Sequence, residues 1–295
     1  MELIAKVTGI NISDDLTNIT VIDKDKNIFN LKINNSNTIS KEHSYIFNYH
    51  VQKGTERNTY FIDDYKEITE LDLEEADTDL RLFYNQSPIS LKDAEKEIKN
   101  YINKIDNKVI KDITKALIDK YYDKYFIYPA ASKLHHAYVG GLAHHCIGMV
   151  KFADGFILNY PYLNKDLVYA GIMLHDIGKV IELSGVVDTT YSLKGQLVGH
   201  LVLGAMEIEE MAKKLGYADK EETLLLEHML LSHHGLPQFG AAKKPMTPEA
   251  LVLWYIDTID SKFRVLGEEL EKTKPGEFSE GIAVLDKVKV YKAKN

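Results

Sequence analysis

The chain has 295 residues, 45% of them hydrophobic and 27% charged, and a formal net charge of −8. Those proportions exclude disordered and collagen-like chains, and no stretch approaches the roughly 20 apolar residues that a bilayer crossing needs. The lone cysteine, Cys146, excludes an internal disulfide framework, and the acidity argues against a protein that coats nucleic acid with a broad basic surface, while leaving room for a local basic groove. The opening residues, Met1 to Val7, lack the basic region and apolar run of a signal peptide, so the expectation is a cytoplasmic chain of two domains.

In chain order, residues 1–62 read as strands. Ile4 to Ile10, Asn18 to Ile22 and Ile28 to Ile33 approximate period-two alternation between polar turn clusters, and Ser44 to Tyr49 and Thr59 to Ile62 add two more. Five short strands in so few residues predict a small β-barrel, with an OB-fold as one option. Tyr45, Phe47, Tyr49, Tyr60 and Phe61 are either barrel core or platforms for unpaired bases. Residues 63–81 then carry nine acids against Lys66 and Arg81, a like-charge run that predicts an acidic linker or solvated helix over 63–86.

From residue 87 to 272 the pattern is helical. Ser90 can cap a segment in which Leu91, Ala94, Ile98, Tyr101, Ile102 and Ile105 recur at helical spacing. A second amphipathic run spans 112–125, and further helices are expected around 138–159, 165–177, 195–215, 219–233 and 248–270. The tail, 273–295, reads as a closing strand pair over 282–285 and 288–291.

Histidine carries the chemistry. Nine of the eleven fall between residues 135 and 234, as the doublets His135-His136, His144-His145 and His233-His234 and the singles His175, His200 and His228. Imidazoles and carboxylates without thiolates suit divalent iron, manganese or cobalt, with zinc also allowed. They outnumber the ligands of one tetrahedral site, which predicts two divalent cations. Such cations, about 3.5–4 Å apart, need a bridging carboxylate, and Asp176, next to His175 at an expected helix end, is the natural bridge.

His145, the pair His175-Asp176 and the distant Asp257 form an ordered series that resembles the HD phosphohydrolase superfamily. His200 after Gly199 and the doublet His233-His234 resemble the added ligands of its two-metal members. The stretch Lys133 to Leu142, the run His175-Asp176-Ile177-Gly178-Lys179, Ser232 to Gly235 and Pro248 to Leu251 are similar to the YhaM-type 3′→5′ exoribonucleases, which join an OB-fold to an HD domain. The likeness spans about 130–265 in sequence and the N-terminal half by architecture alone. It implies an α+β multidomain fold: a small OB-like barrel followed by an all-α HD helical bundle. By position it implies one metal on His145, His175, Asp176 and Asp257. The second shares Asp176 and adds His200, His233 and His234. His144 stands where the family has an acid, so His144 and His145 compete for one place. Asp257 and Asp260 are a similar pair, in which the family pattern favours Asp257.

The implied activity is stepwise hydrolysis of single-stranded RNA, or DNA, from the 3′ end, releasing nucleoside 5′-monophosphates, with Asp176, Lys179 and His136 in catalytic roles. Lys179 is read as a phosphate contact or a solvated helix-end lysine. Lys133 and His135 are candidate substrate contacts, as are Lys243 and Lys244 if their loop reaches a nucleic-acid backbone. His228 reads as structural, and Cys146 as core rather than nucleophile. No membrane partner is implied, and a homo-oligomer is compatible. Two rival functions are an HD enzyme acting on a small nucleotide or cyclic dinucleotide, which the net acidity favours, and a nucleic-acid-binding protein with a dormant HD domain.

Overall fold

The computed structural model describes residues 1–294 except 14, 35–37, 56–57 and 133–135. It divides into two compact units, Met1–Gln86 with Gly185–Thr189, and Ser87–Ser184 with Thr190–Asn295. No described helix is long and apolar enough to cross a membrane.

The first unit contains a closed five-stranded barrel of β1 (Glu2–Ile12), β2 (Leu16–Asp23), β3 (Ile28–Asn34), β4 (Ser44–Gln52) and β5 (Thr59–Glu67), in the order β1-β2-β3-β5-β4. The β3–β5 pairing is parallel and the rest antiparallel, an OB-like arrangement. Alternation turns Ala5, Val7, Ile19, Val21, Leu31, Tyr45, Phe47 and Ile62 inward to make the core. Tyr45 and Phe47 are therefore core side chains and not base platforms, whereas Tyr49, Tyr60 and Phe61 are half-buried.

The acidic stretch is ordered rather than a free linker. Its first residues extend β5, with Lys66 and Glu67 paired to Ile46 and Tyr45 of β4. The rest forms α1 (Leu73–Phe83), capped by Asp72, whose carboxylate accepts from the Glu75 amide. Leu73, Ala76 and Leu80 are its buried stripe, masked in the sequence by the surrounding acids. Tyr84 then donates to the Glu42 carbonyl and accepts from Ser44 Oγ, both at 2.7 Å, tying the segment's end to the barrel.

The second unit is helical: α2 (Leu91–Asn103), α3 (Lys108–Lys120), α4 (Tyr122–Tyr125), α5 (Gly141–Asn159), α6 (Lys165–Leu174), α7 (Lys179–Glu182), α8 (Leu193–Val198), α9 (His200–Leu215), α10 (Glu221–Ser232) and α11 (Pro248–Lys272). Helix α6 is buried from Asp166 to Leu174 and is surrounded by α3, α5, α10 and α11. A helix apolar on every face belongs at such a centre.

Three boundaries differ from those expected. The run 112–125 is two helices, because Asn107 caps α3 earlier and the chain turns at Tyr121. The run 195–215 is broken at Gly199, whose φ of 78° and ψ of 155° are open to glycine and closed to a helix. The expected closing strand pair is absent among the described residues. Asp286 and Lys287, both at positive φ, make a tight turn that leaves only the isolated bridges Ile282–Val288 and Phe278–Tyr291 around a single 3-10 turn, Ala283–Leu285.

Candidate metal centre

Four helix ends and one helix face converge in the second unit. Helix α6 stops at His175-Asp176, and α9 starts at His200. Helix α10 ends at His233-His234, α5 contributes His145 from its first turns, and α11 presents Asp257. His145, Asp176, His200, His233, His234 and Asp257 line one cleft of about 270 Å³. Ligand-capable atoms of His145, His175 and Asp176 lie within 4.8 Å of one another, as do those of His200, His233 and His234, and those of His175, His233 and Asp257.

The hydrogen bonds behind the cleft determine which nitrogen of each ring points in. His175 Nδ1 donates to the Ile172 carbonyl at 2.8 Å, His233 Nδ1 to the Leu230 carbonyl at 2.7 Å, and His234 Nδ1 to the Phe239 carbonyl at 2.8 Å. His200 Nδ1 donates to Glu182 Oε1 at 3.0 Å, and the same oxygen accepts from the His200 amide at 3.0 Å. Each Nδ1–H is thus committed to a fixed acceptor, which orients the ring and leaves Nε2 for another partner, the arrangement in which metal-ligating histidines are normally held.

Asp176 lies among these rings. Its Oδ1 is 3.4 Å from His200 Nε2 and 3.7 Å from His233 Nε2, and its Oδ2 is 3.3 Å from His175 Nε2. Lys179 Nζ donates to Oδ2 at 2.6 Å and to the Ala130 carbonyl at 2.6 Å. Burial opposes ionisation of Asp176, but Lys179 and His175 outweigh it and hold the carboxyl well below its ordinary range. Burial likewise opposes the charge on Lys179, and Asp176 more than restores it. Among the described residues, His175 Nε2, Asp176 Oδ1 and His200 Nε2 are buried side-chain atoms with no hydrogen-bond partner. Three such atoms at one point are costly unless something electrophilic occupies it, and a divalent cation fits their chemistry.

Of the two neighbouring pairs, His145 and Asp257 line the cleft, whereas His144 and Asp260 do not. His145 Nε2 lies 3.2 Å from Asp257 Oδ1, and its Nδ1 donates to Asp260 Oδ2 at 2.8 Å. Two acids three residues apart on one face of α11 therefore bracket a single ring. Burial would lower the His145 pKa, but these carboxylates push it up to about 9. His144 points away, its Nδ1 2.7 Å from the Tyr138 hydroxyl and its Nε2 3.4 Å from an Arg264 guanidinium nitrogen.

His136, expected to act on substrate, is not in the cleft. It is buried behind His145, where its Nε2 donates to Asp260 Oδ2 at 2.8 Å and its Nδ1 accepts from the Tyr138 hydroxyl at 2.7 Å. Burial lowers the pKa of both His136 and His144 to about 4, so both are neutral at pH 7. One consistent set of donors follows: Arg264 to His144, His144 to Tyr138, Tyr138 to His136, and His136 to Asp260. The cluster His136, His145 and Asp260 also has ligand-capable atoms within 4.8 Å. Its 2.8 Å contacts are hydrogen bonds, which buttress the His145 ring.

Lys133 and His135 lie outside the described residues. Lys243 and Lys244 are exposed and do not line the cleft. His228 accepts from the Met246 amide at 2.9 Å, and Cys146 is fully buried, as a structural reading of each requires. Sequence reasoning missed Glu182, Tyr138, Asp260's supporting part and Ser261, whose hydroxyl lines the cleft and donates to Asp257 Oδ1 at 3.3 Å. Only the i, i+3 spacing of Asp257 and Asp260 left a visible trace.

Residues 142–262 match the HD domain family. The chain is 45% identical over 210 residues to the 3'-5' exoribonuclease YhaM of Geobacillus sp. (strain WCH70), a match covering 71% of this chain and 64% of that protein. The chain thus spans a little under two thirds of the relative's length.

Proposed function

With residues 142–262 an HD domain as the premise, we propose that this chain is a metal-dependent phosphodiesterase that removes nucleotides one at a time from the 3′ end of single-stranded RNA. The observation that carries the reading is the convergence of His175 Nε2, Asp176 Oδ1 and His200 Nε2, all buried and unpartnered, between His145 and Asp257 on one side and His233 and His234 on the other. The similarity to an exoribonuclease supports RNA as the polymer.

In this reading His145, His175, Asp176 and Asp257 would hold one divalent ion, and His200, His233 and His234, with Asp176, would hold a second. Manganese, cobalt or iron(II) suits the donor set. Such ions supply Lewis acidity toward a phosphate and lower the pKa of a nucleophilic water. The chain's own groups do the rest. Lys179 keeps Asp176 ionised and offers a positive charge at the cleft wall where a phosphate oxygen would lie. Glu182 fixes the tautomer of His200, and Asp260 that of His145. Water adds its hydroxyl to phosphorus and gives up its other proton to solvent, and the bond from phosphorus to the penultimate nucleotide's 3′-oxygen breaks. That oxygen takes a proton from solvent, leaving a nucleoside 5′-monophosphate and a shortened strand. In the barrel, the half-buried Tyr49, Tyr60 and Phe61 support stacking contacts with single-stranded nucleic acid.

The test is a 5′-labelled oligoribonucleotide incubated with the purified chain and manganese. A ladder descending by single nucleotides, with 5′-monophosphates as product, supports the proposal, and Asp176→Asn should remove it by at least about a thousandfold. Turnover of cyclic dinucleotides or nucleoside phosphates with the oligonucleotide untouched would instead favour the small-nucleotide reading, toward which the net charge of −8 leans.

A further inference from the structure

A second hollow, of about 610 Å³, adjoins the metal cleft and shares His234, Asp257 and Ser261 with it. Its distinctive walls are apolar: Phe239, Trp254 and Val284. Phe239 leaves 64% of its surface open, and Trp254 is the chain's only tryptophan. Thr258 and Lys262 add polar groups at the rim. Its size is that of a small-ligand site, and its make-up, an aromatic surface with a few polar groups, is that of a nucleobase site.

The local backbone is built to present these rings. Gly235 has a φ of +75°, and a Cβ there would lie 1.9 Å from Trp254 Cε2, so a glycine is what lets the indole close against the turn after α10. The following 3-10 turn, Pro237–Phe239, has two tasks. Its Phe239 carbonyl accepts from His234 Nδ1 and so aims that ring into the cleft, while the Phe239 side chain lines the hollow. Phe239 thus serves both cavities, through its carbonyl in one and its ring in the other.

We propose that this hollow holds the base of the 3′-terminal nucleotide, the one to be released, while its 5′-phosphate lies over the metals. The inference rests on the phosphodiesterase reading of the cleft. The shared walls place a base in the hollow within one nucleotide of that phosphate, and stacking on Phe239 and Trp254 gives every base a face to bind without reading its identity. The hollow thus fits an enzyme that shortens strands of any sequence.

Trp254 makes the subsite observable without turnover. Titrating the purified protein with adenosine 5′-monophosphate should quench its fluorescence saturably, whereas ribose 5-phosphate, which has the phosphate and no base, should leave it unchanged. Phe239→Ala, which keeps the carbonyl that orients His234, should raise the nucleotide Kd about tenfold, and Phe239→Tyr should restore it. It should also raise KM for an oligoribonucleotide with kcat little changed. Absence of quenching by the nucleotide, equal quenching by both phosphates, or a Phe239→Ala variant with unchanged Kd would each overturn the subsite, whatever the activity on RNA. Base-dependent quenching in a protein that leaves RNA intact would instead keep the subsite and remove the exonuclease reading.

Discussion

At the scale of single residues, the centre depends as much on what stands behind the imidazoles as on the imidazoles. Asp260 does not line the cleft, yet it holds His145 from one side and His136 from the other. Asp260→Asn should therefore weaken manganese binding about ten- to a hundredfold, read by metal titration, while saturating metal restores most of kcat. A loss of kcat that no metal concentration recovers would mean Asp260 does more than orient. The histidine doublets and the pair His175-Asp176 were legible because few other side chains make such a pattern. The chain from Arg264 through His144, Tyr138 and His136 was not. Its members are 6 and 120 residues apart along the sequence, and local spacing says nothing of such pairings. Phe239 was equally silent, since an aromatic in a loop carries no periodicity to betray its direction.

At the scale of elements, close backbone approach positions the residues of the cleft. Gly178, between the Asp176 turn and α7, lies so near α9 that a Cβ would be 2.1 Å from the His200 carbonyl oxygen and 2.8 Å from the Gly204 amide nitrogen. Gly178→Ala must push α9 away, at a cost of roughly 1–3 kcal/mol in stability, and carry His200 with it. Thermal melts and metal content should both fall, whereas a variant with native melting and full metal would refute this account. In the barrel, His43 Nδ1 lies 2.9 Å from Glu67 Oε1. Donating that hydrogen bond to the Glu67 carboxylate raises the His43 pKa above 6.5. Burial opposes, but His43 and Thr69 outweigh it and lower that of Glu67 below 4.5. The His43 contribution is thus complete below pH 6.5 and fades as pH rises through its raised folded value. The Glu67 contribution is complete above 4.5 and fades as pH falls. Stability from the pair should drop by less than about 1 kcal/mol above neutrality, and His43→Gln should flatten that slope in urea titrations. The strands were largely legible because alternation is local. The buried stripe of α1 was hidden by its acids, and the break at Gly199 needed a dihedral angle that composition does not supply.

At the scale of the whole molecule, the two compact units should answer differently to metal. Among the described residues, the clusters that could hold a metal all belong to the helical unit, so a chelator should act on that unit's stability and leave the barrel's alone. Calorimetry with and without EDTA should shift a single transition, and a hundredfold excess of manganese over its Kd adds about 2.7 kcal/mol to that unit. Equal shifts in every transition would place metal binding elsewhere. The sequence shows a change from alternating to helical periodicity, whereas nothing in it announces that Gly185–Thr189 groups with the first unit, since so short a loop carries no pattern.

The three unpartnered atoms between α6 and α9 have a consequence for the protein's life in a cell. Without a cation, three buried polar atoms lack hydrogen-bond partners near where these helices end, and that should cost local stability there. A molecule starved of metal should be nicked by proteases around these helix ends long before its barrel is touched. Its lifetime would then follow the supply of the ion it needs.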